Sequence, residues 1–308
     1  MTPAPAPSLV RRLAVLPLVG PLWLVLGGLL VVPMAGVLAL SFCRVDDDTN
    51  VVLPAGGDVD VAADHVVAGR TFDAHAAAAA PRTRVVALRS LWQATATTAV
   101  TALVGYPLAY HLAVRASARW RGLLLLGVVV PFWTSFVVRT FSLIVLLRPE
   151  GLVNHALQWA GVTAGPLELM YNEWAVLVGL VYGELPFMVL PLYASLEKLD
   201  RSLLEASTDL GAGGWSTFLR VTLPLSLPGL AAGAVLVFVP SVGQYVVSDL
   251  LGGSRSTLLG NLIYRDFAGD SGRSNPPRGA AVAMQMTAGV LLMVWMYARW
   301  ARKRGVEL

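Results

Sequence analysis

Six apolar runs, at about 16–42, 90–114, 122–147, 174–197, 227–251 and 279–301, alternate along the chain with polar stretches. Each run is long enough to cross roughly 30 Å of hydrocarbon as an α-helix, which takes about 20 residues. The pattern predicts an all-α membrane protein with six transmembrane helices. It places a cytoplasmic tail at 1–15, a first span at 16–42 and an outer loop at 43–89. A five-span core over 90–302 and a cytoplasmic tail at 303–308 follow. Arg11 and Arg12 precede the first run as they would in a secretory signal. That run is too long for a signal core and lacks a small-residue cleavage site, so it reads as a retained span.

One polar interruption differs from the other connections. From Glu205 to Gly229 the chain reads Glu-Ala-Ser-Thr-Asp-Leu-Gly-Ala-Gly-Gly-Trp-Ser-Thr-Phe-Leu-Arg-Val-Thr-Leu-Pro-Leu-Ser-Leu-Pro-Gly. Asp200 or Ser202 can cap a short helix here, with Leu203, Leu204, Ala206 and Leu210 on one side. Gly211, Gly213 and Gly214 stop it, because glycine tolerates the left-handed backbone that ends helices. Trp215 to Leu223 forms a second amphipathic piece, and Pro224 and Pro228 fix the backbone at the entry to the fifth span. Two short helices meeting at a glycine corner make a knob that fits a partner's groove. A connector lying on the membrane surface is the competing reading.

Charge supplies the orientation. Only 14% of residues are charged, against roughly 25% in soluble domains, so individual positions carry weight. With both termini inside, the inner segments hold 12 basic and five acidic residues, and the outer segments hold 10 and 12. Asp46, Asp47 and Asp48 are among the outer acids. That asymmetry is the one expected of a multi-span protein. The net charge of +4 is therefore a topological signal and no argument for nucleic-acid binding. The single cysteine, Cys43, excludes an internal disulfide and argues against a cysteine metal site. No repeat of 20–50 residues is present, which removes solenoid folds. Short strand or helix is expected in the 43–89 loop, which contains the run Ala76–Ala80.

The interruption resembles the EAA loop of ATP-binding-cassette (ABC) importer permeases. The matching residues are Glu205-Ala206, with Ser207 in place of the third-position alanine, then Gly211-Ala212, Phe218, Leu223-Pro224 and Pro228-Gly229. Further blocks are similar to the B-type permease of spermidine/putrescine importers. They are Gly105-Tyr106-Pro107-Leu108-Ala109-Tyr110, Val130 to Ser135 with Arg139, Gly179 to Tyr182, Leu185 to Met188, Pro191 to Asp200 and Val247 to Gly253. The likeness runs from about residue 88 to residue 300. It implies a type I ABC importer permease fold in which the loop at 198–229 holds a cytoplasmic coupling helix. Leu203, Glu205, Ala206, Asp209, Gly211 and Ala212 would meet an ATPase subunit. The implied partners are a second, homologous permease, an ATP-binding-cassette ATPase dimer, an extracytoplasmic solute-binding protein and the lipid bilayer. The chain has no Gly-x-x-x-x-Gly-Lys-Ser/Thr loop to cradle phosphates. No cofactor is therefore expected in this chain, with ATP and Mg²⁺ on the partner ATPase, and no catalytic residue is expected here.

Ionisable residues inside apolar spans face a polar interior or one another. Arg139, Glu184 and Asp249 are such residues, with His111, Gln244 and Gln285 adding uncharged polarity. A polyamine path needs carboxylates, neutral acceptors and aromatic faces. Glu184 beside Tyr182, and Asp249 near Gln244 and Tyr245, meet that need, and Trp133 follows Pro131 in a span expected to kink. The competing readings are an Arg139–Glu184 ion pair between helices, a solvated Asp249 at the outer end of the fifth span, and packing roles for Trp133 and Tyr245. Gln244 is uncharged where some relatives carry an acid, and Ser274-Asn275-Pro276-Pro277 stands where the family presents tryptophan-proline.

The reading is an ATP-driven polyamine importer subunit that alternates between inward- and outward-open states. Import of another small solute, such as iron, sulfate or an amino-acid derivative, is the first alternative. An ion-coupled secondary transporter is the second, and the spans show no inverted repeat that would favour it. An intramembrane enzyme would need a pair such as Ser135 and His111, and no nucleophile motif surrounds either residue.

Overall fold

The computed structural model describes residues 9–45, 52–53, 72–253, 256–269 and 274–303. Much of the expected outer loop, including Asp46 to Asp48, lies outside the described residues, as does the tail beyond Lys303. The elements are, in order, α1 (Leu9–Leu40), β1 (Arg44–Val45), β2 (Val52–Leu53), α2 (Asp73–Ala78), α3 (Pro81–Tyr110), α4 (Ala118–Trp133) and α5 (Phe136–Leu147). They continue with α6 (Leu152–Trp159), α7 (Glu173–Glu197), α8 (Arg201–Asp209), α9 (Gly214–Thr217), α10 (Leu223–Gly243), α11 (Leu259–Ala268) and α12 (Pro276–Lys303). Wide π-type turns occupy His111–Arg115, Phe218–Thr222 and Ser248–Gly252. The strands form one antiparallel two-residue pair, with Arg44 opposite Leu53.

Two compact units make up the chain. The first comprises Met1–Ala78 with Asp266–Gln285, and the second Ala79–Arg265 with Met286–Leu308. In the first, Ser41 Oγ donates to the Leu38 carbonyl at 2.6 Å and meets His75 Nε2 at 3.2 Å. The hydroxyl proton is already used, so the imidazole nitrogen is the donor. Phe42 and Phe72 close around the same ring at centroid distances of 5.0 and 6.4 Å.

The second unit is built on α3, α7 and α10, and its packing follows from small residues. Gly229 and Gly233 are four apart, so they lie on one face of α10. A Cβ on Gly229 would fall 2.6 Å from the Pro191 carbonyl oxygen, and one on Gly233 would fall 2.8 Å from Met188 Sδ. Gly105 of α3 also packs on Met188, which has no exposed surface: a Cβ there would fall 3.1 Å from Met188 Cγ. Small side chains permit this backbone approach, which is how helices gain van der Waals contact in lipid.

Among the described residues, three helices are long and apolar enough to cross a membrane: Glu173–Glu197, Gly214–Gly243 and Pro276–Arg299. The pair Arg119–Trp133 and Phe136–Trp159, bent by 96°, makes a fourth if it is one span. Helix α3 has the length, but Gln93, Thr95, Thr97, Thr98 and Thr101 dilute its apolar character.

Three expectations need correction. The run at 122–147 is two helices, because Thr134 and Ser135 take extended backbone with ψ of 148° and 134°. The break therefore falls after Trp133 and beyond Pro131. The run at 227–251 is likewise interrupted, since α10 ends at Gly243 and Gln244 is extended with ψ 127°. Finally, Trp215 to Leu223 is no separate piece: helix runs continuously from Gly214 to Gly243. The π turn at Phe218–Thr222 sits just before Pro224, whose ring would clash with the carbonyl four residues earlier in a regular helix.

Candidate functional site

Helix α8 is built by its two caps. Asp200 Oδ1 accepts the Ser202 amide at 2.9 Å, which resolves the choice of capping residue. The same bond holds the Asp200 carboxyl below its ordinary range. At the other end Gly211 has φ 78°, the left-handed conformation that glycine alone adopts without strain. Its amide donates to the Thr208 carbonyl at 2.9 Å, and the Ala212 amide donates to that of Ser207 at 3.1 Å. This double closure is a Schellman motif. Gly213 and Gly214 play a different part, since Gly213 caps α9 with negative φ. Ser207 Oγ meets Thr217 Oγ1 at 3.0 Å and ties α8 to α9.

The knob so formed is exposed. Leu203, Glu205, Ala206, Asp209 and Gly211 are open to solvent, Ala212 is half-buried, and Leu210 is 88% exposed. Beneath it, a cleft of about 630 Å³ is lined by Leu203, Lys198, Ser195, Pro191, Pro228 and Gly229. A ring series runs inward from the same corner. Trp215 stacks on Phe218 at 5.3 Å, Phe218 meets Tyr106 edge-on at 5.2 Å, and the Tyr106 hydroxyl lies 2.6 Å from Ser226 Oγ. The knob is thus mechanically joined to α3 and α10.

Arg139, Glu184, Gln244 and Asp249 fall into two groups, while Gln285 donates to the His75 carbonyl and His111 opens the π turn after α3. Arg139 and Glu184 form the first. Arg139 is 9% exposed, with its guanidinium over the rings of Phe132 and Phe136 at 5.7 and 5.8 Å. Its Nη1 donates to the Gly183 carbonyl at 3.5 Å. Glu184 is 6% exposed, and its Oε2 has no hydrogen-bond partner. Among the described ion pairs none joins these two residues, so the interhelical salt bridge is not formed.

The second group surrounds the break after α10. Tyr245 stacks on Tyr264 with centroids 4.9 Å apart and planes at 11°. Asp249 is exposed, 4.0 Å from Arg265 and 3.5 Å from the Asn261 amide. Asn261, itself buried, donates to the Tyr245 carbonyl at 3.2 Å and accepts the Leu258 amide at 3.0 Å. Gly260 lets α11 approach the Gly243 carbonyl and Gln244 backbone so closely that no Cβ fits. The site thus offers two aromatic faces and a carboxylate side by side, the chemistry an organic cation requires.

Tyr264 and Asn261 were missed by sequence reasoning. The spacing of Leu259, Leu262 and Ile263 signals a short amphipathic helix there, but nothing local pairs it with Tyr245. Among the described contacts Tyr182 and Trp133 join neither group; Tyr182 is partly exposed and Trp133 is 79% exposed. Gln244 is half-buried at the break itself.

Spans broken at polar sites, with a capped, exposed knob at one connection, suit a solute permease, which needs polar groups within the membrane and a surface for a partner. The chain belongs to the family of binding-protein-dependent transport system inner membrane components, whose family model matches residues 102–306. It is 43% identical over 225 residues to the spermidine/putrescine transport system permease protein PotB of Escherichia coli (strain K12), covering 72% of this chain and 80% of that one. The corresponding protein of Haemophilus influenzae is 42% identical over 213 residues, covering 68% and 73%. Among solved structures, a bacterial alginate ABC transporter in complex with an alginate-bound periplasmic protein matches with a TM-score of 0.66. That match has 18% identity and covers 96% of this chain and 95% of that one. It establishes a shared fold.

Proposed function

We propose that this chain is a transmembrane permease subunit of an ATP-driven importer, and that it forms part of the path for polyamines delivered by a solute-binding protein. The observation that carries the reading is the Tyr245–Tyr264–Asp249 set, an aromatic pair beside a carboxylate. It occurs in a chain more than 40% identical to permeases named for spermidine and putrescine. The cargo site extends to Glu184, with Arg139, Tyr182, Trp133 and Gln244 along the path.

The reading has six spans with both termini in the cytoplasm, α1 and α3 completing the set. Helix α8 is the coupling helix and presents Leu203, Glu205, Ala206, Asp209, Gly211 and Ala212 to an ATPase dimer. ATP and Mg²⁺ are held on that partner, and a second, homologous permease completes the pore. ATP-driven closure of the ATPases moves the knob, and the Trp215–Phe218–Tyr106 ring series carries the displacement into α3 and α10. Coupling needs an element with two discrete arrangements, which packed rigid helices supply.

The test is uptake of radiolabelled spermidine and putrescine by proteoliposomes holding the whole complex, with competition by ferric iron, sulfate and amino acids. Polyamine uptake that requires ATP and is lost in Asp249→Asn supports the reading. Uptake of another solute with no polyamine competition overturns the cargo. Glu205→Ala tests the coupling assignment, since unchanged ATPase co-purification and unchanged uptake would remove α8 from it.

A further inference from the structure

The polar residues of the α4–α5 break pose a question that a substrate path alone does not answer. Glu184 is 94% buried by its 6% exposure and leaves Oε2 unpartnered. A buried carboxylate oxygen without a donor is costly and calls for an explanation. A cation stands close by, yet it is held away. Arg139 spends its guanidinium on the rings of Phe132 and Phe136, at nearly equal distances, and on the carbonyl of Gly183, the residue before Glu184. Its Nε has no hydrogen-bond partner. Phe132 is itself braced edge-on by Phe187 at 5.1 Å.

This arrangement has the parts of an organic-cation site: an aromatic cage, a backbone acceptor and a carboxylate with an open oxygen. The cation in the cage belongs to the protein. The two cage rings come from opposite sides of the Thr134–Ser135 break, Phe132 from the last turn of α4 and Phe136 opening α5. Any change in the angle between the two helices therefore changes the cage.

We propose that Arg139 is a tethered competitor for the incoming cation. It holds the place of a substrate ammonium in the aromatic cage beside Glu184, and an arriving polyamine displaces it. The inference rests on the polyamine reading above and adds a determinant of affinity to it. Between turnovers Arg139 keeps the aromatic cage filled, so that small inorganic cations gain little by entering. A polyamine, which brings several charges and an apolar chain, replaces the guanidinium and takes the free oxygen. When the break closes again, Arg139 returns and helps to expel the cargo.

The experiment is equilibrium binding of radiolabelled spermidine to the whole transporter complex in nanodiscs, without binding protein. Arg139→Gln is expected to bind about tenfold tighter, within the usual range of coupling between sites, and Arg139→Lys to show a smaller gain. Glu184→Gln is expected to bind more weakly. Phe136→Leu keeps the charge but opens one side of the cage, so the guanidinium reaches Glu184 and spermidine binding weakens. Weaker binding in Glu184→Gln with no gain in Arg139→Gln overturns the competitor role and leaves the path reading intact. Unchanged binding in Glu184→Gln removes Glu184 from the path and the inference with it. If Arg139→Gln does not assemble, Phe136→Leu decides: unchanged binding there overturns the proposal.

Discussion

The buried amide of Asn261 donates to the Tyr245 carbonyl across 3.2 Å, and this contact latches α11 onto the first turn beyond the break in the fifth span. The Tyr245 oxygen also accepts the Asp249 amide at 2.8 Å, so both of its lone pairs are used. Asn261→Ala leaves the Leu258 amide without its acceptor, a loss of about 1–3 kcal/mol for a buried group. Because Asn261 acts through Tyr245 and Asp249, the expected result is a raised KM for polyamine uptake with assembly and kcat largely kept. Loss of kcat alone would count against a positioning role.

Tyr264 contributes a ring rather than a charge. Tyr264→Leu removes one aromatic face, a change of about 1–2 kcal/mol where a cation sits on the ring. That corresponds to roughly a five- to thirtyfold rise in KM. Tyr264→Phe keeps the face and is expected to keep most of the affinity. Uptake assays over a range of spermidine concentrations separate the two variants.

The corner at Gly211 turns on backbone conformation. A β-branched residue at φ 78° is strained by about 1–2 kcal/mol. Gly211→Val is therefore expected to open the Schellman closure and to misplace Leu210 and Ala212. Pull-down of the ATPase subunits should fall while the permease remains in the membrane fraction. An equal pull-down from wild type and variant would show that the corner is not required for docking.

Packing at Gly229 predicts the opposite phenotype. A side chain there overlaps Ser195 and the Pro191 carbonyl, and relief needs movement of α7. Gly229→Val is expected to cost about 1–3 kcal/mol, as overpacking usually does. The yield of folded permease in detergent should drop, as read by size-exclusion chromatography. A folded variant at full yield would mean that α7 and α10 can separate freely.

Asp266 adds a pH dependence outside the spans. Burial raises its carboxyl above the ordinary carboxylate range, with Arg278 at 3.5 Å opposing the shift. The folded state then holds the proton more tightly than the unfolded chain does. Its contribution to stability is fully present at low pH and declines as pH rises through the raised value. Asp266→Asn is expected to match wild type in thermal unfolding near about pH 4 and to exceed it near about pH 7. Equal melting temperatures across the range would mean that Arg278 compensates the burial fully.

Much of this architecture is local and therefore readable along the chain. Hydrophobic length marks helices, because a span must satisfy its own backbone in lipid. The glycine at 211 marks one end of α8, and Asp200 with Ser202 marks the other to within two residues, because caps are made by residues a few positions away. Arg139, Glu184 and Asp249 stand out because charge in an apolar run needs a reason. The break after Trp133 was less legible. Pro131 advertised a kink, but Thr134 and Ser135, neither of them strong helix breakers, carry the extended backbone.

By itself the sequence determined the helical class, the capped knob around 203–212 and the handful of intramembrane charges. These depend on composition and on neighbours within one or two turns. The tertiary structure decided which of those charges meet. It set Arg139 against the rings of Phe132 and Phe136 rather than on Glu184, and it brought Tyr264 and Asn261 to Tyr245 from 19 and 16 positions away. Such pairings depend on where two helices break and how closely their backbones approach, and no periodicity within a single run records that.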